Sequence, residues 1–135
     1  MKSFKTLLAL TSIIGLSAPA AFAQLDSGQP ILCVIMEAKS CEARSTCESG
    51  GAALVNLPDF VTIDVDAGKL AGKRPDGTDL MTPIERMETA DEVLMLQGGE
   101  NGVGWSITLN MDNGRMIVSA STDEAGMLLF GACTQ

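Results

Sequence analysis

Residues 105–121 of the chain read WSITLNMDNGRMIVSAS, in which apolar and polar side chains alternate on both sides of Asn113-Gly114. Strict alternation is typical of a β-strand with one buried face, and Asn-Gly suits the two-residue type I′ turn that joins paired strands. The sequence therefore predicts a β-hairpin whose apolar residues share one face. The predicted register pairs Asp112 with Arg115, Met111 with Met116, Leu109 with Val118 and Ile107 with Ala120.

Shorter runs on either side of this hairpin predict further strands. They are residues 31–36, 60–66, 93–96 and 127–133, with a return strand beginning near Leu70. Residues 93–96 are expected to be a central strand buried on both faces, while residues 98–102 and the segment 73–79, which contains Pro-Asp-Gly, have the composition of loops. About six short strands with at most one short helix predict an all-β domain, either a small antiparallel meander or a barrel.

The four cysteines permit two disulfides in three alternative pairings. They are Cys33, Cys41, Cys47 and Cys133. We expect Cys33 to pair with Cys133, because each lies in an apolar, strand-like run, and neighbouring strands could bring them together. Cys41 would then pair with Cys47 and pin down a polar N-terminal insert, residues 37–51, for which at most one helical turn is expected. The sequence alone leaves the other pairings open.

The N-terminus has the features of a cleavable export signal. Two lysines precede an apolar run over residues 7–16, and Ala21-Phe22-Ala23 provides a small-x-small cleavage site. The apolar run is too short to span a bilayer. We therefore predict a signal peptide over residues 1–23 and one disulfide-stapled domain over residues 24–135, located in the periplasm or secreted, where paired thiols persist. Its polar leader, residues 24–29, is expected to be loosely ordered.

The acidic balance of the chain argues against two classes of partner. The formal net charge is −8, and removal of the signal peptide would leave seven cations against 17 acidic residues. Nucleic acids are bound by clusters of Lys and Arg, and so are anionic membrane surfaces. We therefore expect no nucleic-acid partner and no membrane association after signal cleavage; the partner is unknown, and another protein is one candidate.

The composition also narrows the possible chemistry. The chain contains no histidine and no tyrosine, so Ser-His-Asp and Cys-His hydrolysis are excluded. Asp64, Asp66 and Asp112 remain as candidates for a carboxylate-dependent hydrolase. If they lie on a solvated strand face, however, such acids contribute only to the solubility of the protein. The loops that contain them do not match the EF-hand pattern of ligands. We expect no metal, no cofactor and no catalytic residue.

The cysteine pattern resembles that of a group of exported proteins. Cys33 is followed by Cys41 and Cys47, and the last strand-like run contains Phe130-Gly131-Ala132-Cys133. In this the chain resembles uncharacterised small exported proteins of alphaproteobacteria, and the resemblance transfers no activity. The leading hypothesis is a non-catalytic exported binding or structural module. The alternatives are a small carboxylate-dependent hydrolase and a periplasmic protein that acts like a protease inhibitor.

Overall fold

An antiparallel sheet of ten strands contains about three-fifths of the described residues. The structure is a computed structural model that describes residues 24–135, so the predicted signal peptide, residues 1–23, lies outside it. The strands are β1 (Ile31–Glu42), β2 (Glu48–Gly50), β3 (Phe60–Asp64), β4 (Lys69–Lys73), β5 (Asp79–Pro83), β6 (Arg86–Ala90), β7 (Val93–Glu100), β8 (Val103–Asn110), β9 (Arg115–Ser121) and β10 (Ala125–Thr134). A single 3-10 turn, Ala52–Val55, follows β2 in this part of the chain.

The sheet curls into a half-barrel with the strand order β5-β4-β3-β1-β10-β9-β8-β7-β6. The remaining strand, β2, pairs with the second half of β1. The two edge strands, β5 and β6, are consecutive in sequence and are joined by Ile84 and Glu85. The backbone N–H of Ile84 donates to the carbonyl of Gly68, 2.8 Å away, and the N–H of Glu85 donates to that of Gln97, 2.9 Å away. These hydrogen bonds connect the β5–β6 segment to both halves of the sheet and stabilise the curvature of the sheet.

The all-β class is confirmed, but the sheet has more strands than the six predicted. Strands β5 and β6 were not predicted, because β5 ends in Pro83 and all five residues of β6 are exposed. A strand with both faces wet shows no apolar alternation. Residues 73 and 79 lie in β4 and β5, so the predicted loop shortens to residues 74–78.

The first strand is twice as long as predicted, and residues 37–51, for which at most one helical turn was expected, contain none. Strand β1 continues to Glu42 between β10 and β2. A β-bulge at Met36 explains the difference, because it shifts the register between Ile35 and Glu37 and leaves Met36 62% exposed. The next fully buried residue is Ala38, three positions after the buried Ile35. That spacing breaks the period of two by which strands are recognised.

The predicted register of the β8–β9 hairpin is wrong by two residues. Leu109 lies opposite Met116, and Ile107 lies opposite Val118. A shift by two residues preserves the facing of every side chain. The buried residues therefore still share one face of the hairpin, as predicted.

Local hydrogen bonds in the connecting loop explain this register. The side-chain oxygen of Asn110 accepts from the backbone N–H of Asp112 and of Asn113, each at 3.1 Å. The N–H of Gly114 donates to the carbonyl of Asn110, 2.9 Å away. Within this loop a positive φ occurs only at Gly114, whereas a type I′ turn needs it at both central residues. The connection is a four-residue loop rather than the predicted tight turn.

Strand β7 also differs from the prediction. It extends to Glu100 and lies next to the edge strand, with Leu94 and Leu96 buried and Val93 and Met95 partly exposed. It is therefore not a central strand buried on both faces. The predicted loop over residues 98–102 shrinks to the Asn101-Gly102 turn, where both residues have a positive φ.

Two disulfides join the strands in the pairing that we expected. Cys33 and Cys133 are directly opposed on β1 and β10 and are bonded to each other. Cys41 and Cys47 are bonded across the connection between β1 and β2. The N-terminal insert is thus pinned, but as a β-hairpin.

The polar leader is better ordered than expected. Leu25 is 7% exposed, and its N–H donates to the carbonyl of Met111, 2.8 Å away. The side chain of Gln135 accepts from the N–H of Asp26 at 2.7 Å and donates to the carbonyl of Gln29 at 3.2 Å. These contacts fasten both ends of the described chain to the same end of the sheet.

Candidate binding cavity

The concave face of the curled sheet contains a partly open, apolar cavity of about 270 Å³. Its apolar lining comes from most strands of the sheet and from the segment after the 3-10 turn: Ile35, Val55, Leu57, Val61, Leu70, Leu80, Val103, Ile107, Met116, Val118, Ala120, Met127 and Leu129. Four further residues bring polar atoms to the lining, namely Asn56, Arg74, Thr82 and Trp105. An apolar cavity of about 150 Å³ binds benzene, so this one suits an apolar body of roughly ten non-hydrogen atoms.

The position of the cavity follows from the strand faces. Trp105 and Ile107 point inward from β8 and lie opposite Ala120 and Val118 of β9. Ala120 is small, so space remains beside the indole ring. The lining residues Val103 and Met127 lie beside the β7–β8 and β9–β10 turns, and Arg74 lies in the β4–β5 loop. The cavity is therefore nearest the end of the sheet that carries these connections.

Trp105 spans the seam between the two halves of the curled sheet. Its indole Nε1–H donates to the hydroxyl oxygen of Thr82 on β5, 3.3 Å away. Thr82 is only 5% exposed, and it is the one buried polar residue of the described chain. A buried hydroxyl needs a hydrogen-bond partner. This bond supplies one and links β8 to β5.

Gly98 makes room for this arrangement. A Cβ atom at that position would overlap the Trp105 ring and would lie 2.6 Å from the carbonyl oxygen of Pro83. Real Cβ atoms do not approach other atoms so closely. Glycine is therefore required where β7 passes between the indole and the end of β5.

The β4–β5 loop is ordered by the carboxylate of Asp76. One of its oxygens accepts from the hydroxyl of Thr78 at 2.6 Å and from the backbone N–H of Thr78 at 2.8 Å. The other accepts from the amide Nδ2 of Asn56 at 3.1 Å. These hydrogen bonds, the Thr78 hydroxyl first, lower the pKa of Asp76 to about 2, and the charge of Arg74 adds to the effect.

Arg74 is the basic residue among those that line the cavity. It is the one charged residue in the lining formed by residues 24–135, and no Asp or Glu of that part of the chain joins it there. Its Nη1 donates to the backbone carbonyl of Asp79, 2.6 Å away. The ion pairs within the described chain are Lys39–Glu37 and Lys73–Asp79, so Arg74 takes part in neither.

The acids singled out from the sequence lie away from this cavity. Asp64 and Asp66 belong to the end of β3 and the following turn, where a carboxylate oxygen of Asp64 accepts from the N–H of Ala67 at 2.9 Å. Asp112 lies in the β8–β9 loop, and strands β1, β10 and β9 separate β3 from β8. The carboxylate of Asp112 contacts that of Glu92. The hydrogen bond between the two groups, together with the charge of Asp112, raises the pKa of Glu92. The structure does not bring the three acids together.

The sequence analysis did not assign any of the four polar residues of the cavity to a binding site. Trp105 was placed correctly on the inner face, and a lone tryptophan at an inward position is a usable signal for a binding cavity. Arg74 and Asn56 gave no such signal, because both lie in irregular segments whose direction depends on the curl of the sheet.

The outer face of the sheet carries several exposed apolar side chains. Leu32, Met36, Phe60, Ile117 and Leu128 are each more than two-fifths exposed. Phe60 is directly opposite Val34 on β1, and Ile117 is directly opposite Phe130 on β10. An apolar band therefore crosses the middle strands on the side away from the cavity.

The fold and the cavity define a disulfide-stapled all-β domain with an apolar interior site. Comparison with protein-family models, curated proteins and solved structures finds no match to this chain. Two disulfides indicate an oxidising, extracytoplasmic environment. None of the helical segments in residues 24–135 has the length and apolar character needed to cross a membrane.

Proposed function

We propose that this domain is a non-catalytic exported binding protein that holds a small apolar molecule inside the curled sheet. The observation that carries the proposal is the cavity of about 270 Å³, whose lining is apolar apart from four residues. Ligand sites are typically concave and mostly apolar with a few placed polar groups. The export signal and the resemblance to alphaproteobacterial exported proteins remain predictions, and we propose the periplasm or the extracellular medium as the location.

The size of the cavity sets the expected affinity. Each buried methylene group contributes about 0.8 kcal/mol, so a ligand with about eight carbons gains roughly 6 kcal/mol before the costs of association. Before those costs, roughly 6 kcal/mol corresponds to a dissociation constant of some tens of micromolar, so after the costs of association we expect a constant in the millimolar range or close to it. Binding must therefore be measured at ligand concentrations that reach the millimolar range.

The alternative functions have less geometric support. A carboxylate-dependent hydrolase needs two acids that flank one bond, whereas Asp64 and Asp66 lie at the β3–β4 turn and Asp112 lies in the β8–β9 loop, all outside the cavity. A protease inhibitor needs an exposed segment that fits a protease cleft, and the apolar cavity does not serve that purpose. The cavity therefore favours a binding function.

The test is calorimetric titration of the oxidised, exported protein with 1-octanol, which has an apolar body of suitable size. We expect saturable binding. In the variant Ala120→Ile, three additional carbon atoms project into the cavity beside Trp105 and should weaken the binding about five-fold or more. The matched control is Ser119→Ile, which adds a similar side chain to the adjacent, exposed position on the outer face.

The two variants separate binding in the cavity from binding elsewhere. Equal weakening by both substitutions, or none by Ala120→Ile, would place the octanol outside the cavity. If the wild-type protein binds neither 1-octanol nor other apolar molecules of this size, the proposed function is wrong.

A further inference from the structure

Resting on the proposed function, we infer that the ligand is a small monocarboxylic acid whose carboxylate is bound by Arg74 while its apolar body fills the cavity. The sign of the charge at the site gives the first argument. The protein is strongly acidic, with 17 acidic residues against nine Lys and Arg. Yet the charged residue in the described lining is a cation. A negatively charged end group on the ligand complements it.

The neighbouring carboxylates already have other partners. Lys73 pairs with the side chain of Asp79 at 3.0 Å, and Asp76 accepts its hydrogen bonds from Thr78 and Asn56. Arg74 donates to the main chain of Asp79 instead. The two acids nearest to the guanidinium in sequence are thus occupied, and neither forms an ion pair with it within 4.0 Å.

The guanidinium of Arg74 retains unused donors. It has five N–H groups in a planar fork, and the bond from Nη1 to the carbonyl of Asp79 uses one. A carboxylate matches this fork by accepting two parallel hydrogen bonds. A neutral alcohol can accept from the fork but lacks the charge, so the site should distinguish the two end groups.

The loop fixes the position of Arg74 at its base. The N–H of Arg74 donates to the carbonyl of Thr78 at 2.8 Å, and the N–H of Gly77 donates to the carbonyl of Arg74 at 2.9 Å. Pro75 follows and restricts the backbone further. A binding group held on an ordered loop loses less conformational entropy when a ligand arrives.

The experiment compares two probes that share an eight-carbon chain, octanoate and 1-octanol, at neutral pH. We expect the wild-type protein to bind octanoate more tightly than 1-octanol. In Arg74→Gln the affinity for octanoate should fall about ten-fold or more, since charged hydrogen bonds are lost, while the affinity for 1-octanol stays within about two-fold. Unchanged octanol binding also shows that the variant is folded.

Arg86→Gln is the matched control, because it removes an exposed arginine on β6 that does not line the cavity. It should leave both affinities unchanged. If Arg74→Gln and Arg86→Gln affect octanoate equally, or if octanoate binds no better than 1-octanol, the inference is overturned while the proposed function stands. If the wild-type protein binds neither probe, the proposed function fails and the inference fails with it.

Discussion

Asp76 shows how one exposed side chain can organise a loop that borders the cavity. Its carboxylate bonds both donors of Thr78 and the amide of Asn56, so it connects the β4–β5 loop to the segment after the 3-10 turn. These bonds favour the ionised form and lower the pKa to about 2 from 3.8. Glu92 is the opposite case, because the hydrogen bond and the charge of Asp112 raise its pKa.

A depressed carboxyl pKa makes folding sensitive to acid. The unfolded chain binds the proton more tightly than the folded chain, so the contribution of Asp76 is complete above its ordinary pKa of 3.8 and is lost as the pH falls towards 2. We predict that Asp76→Ala lowers the thermal midpoint most above about pH 4 and progressively less as the pH approaches about 2. The measurement is the thermal midpoint of both proteins across this range.

Thr78→Val provides the control, because it removes the hydroxyl donor that contributes most to the shift. In that background the effect of Asp76→Ala should depend less on pH. A difference in midpoint that stays constant from neutral pH to about pH 2 would contradict the linkage.

At the level of elements, two Asn-Gly pairs in this chain form different connections. Asn101-Gly102 makes the two-residue turn between β7 and β8, with both residues at positive φ. Asn113-Gly114 does not form such a turn. The side-chain oxygen of Asn110 accepts hydrogen bonds from two N–H groups of this loop, and the loop contains four residues. The dipeptide thus predicted a connection correctly, but not its type, since a competing side chain three positions earlier decided the outcome.

The sequence predicted the elements whose apolar and polar side chains alternate and missed those that lack such a pattern or that depend on a distant partner. Alternation located β3, β8 and β9, and the inward position of Trp105 was predicted with them. Strand β6 was missed because all its residues are exposed, whereas the bulge at Met36 and the second half of β1 depend on pairing with the distant strand β10, which no local pattern records. Arg74 reaches the cavity only because the sheet curls, so its role could not be predicted from its neighbours.

The packing of β7 against β8 and β5 leaves no room for a side chain at Gly98. Gly98→Ala would place a carbon in the space that the Trp105 ring and the carbonyl of Pro83 occupy. We predict a loss of about 1–3 kcal/mol in the free energy of unfolding, together with a shift in tryptophan fluorescence as the indole leaves Thr82. Urea denaturation followed by fluorescence measures both.

Gly104→Ala is the matched control for this substitution. Gly104 lies on β8 next to Trp105, and a Cβ there would meet no atom within 4 Å. Its replacement should change the stability by no more than about 0.5 kcal/mol. Equal losses in the two variants would show that backbone flexibility, rather than the contact with Trp105, explains the requirement for glycine.

On the scale of the whole molecule, the two ends of the domain meet in the middle of the sheet. Strands β1 and β10 are neighbours, and the Cys33–Cys133 bond joins them across a sequence separation of 100 residues. Every other strand of the sheet lies within that loop. The Cys41–Cys47 bond closes a loop with a separation of only 6 residues, so it constrains one hairpin and leaves the curl untouched.

The two disulfides should therefore differ in their effect on stability. In the chain-entropy treatment, closing a loop of about 100 residues stabilises the folded state by about 4.7 kcal/mol, whereas a loop of about seven residues contributes roughly 2 kcal/mol. We predict that Cys33→Ala with Cys133→Ala costs about twice as much free energy of unfolding as Cys41→Ala with Cys47→Ala. Cys33 is fully buried, so its truncation adds a packing loss to the first value.

Urea denaturation of both double variants checks this difference, and the slope of the transition tests its cause. If the bonds act by restricting the unfolded chain, removing Cys33–Cys133 should expose more surface on unfolding and raise the m-value, while removing Cys41–Cys47 should leave it nearly unchanged. If the two double variants lose equal stability and have equal m-values, the Cys33–Cys133 disulfide acts locally between β1 and β10. In that case the curl of the sheet, and with it the cavity, would be maintained by strand pairing and core packing alone.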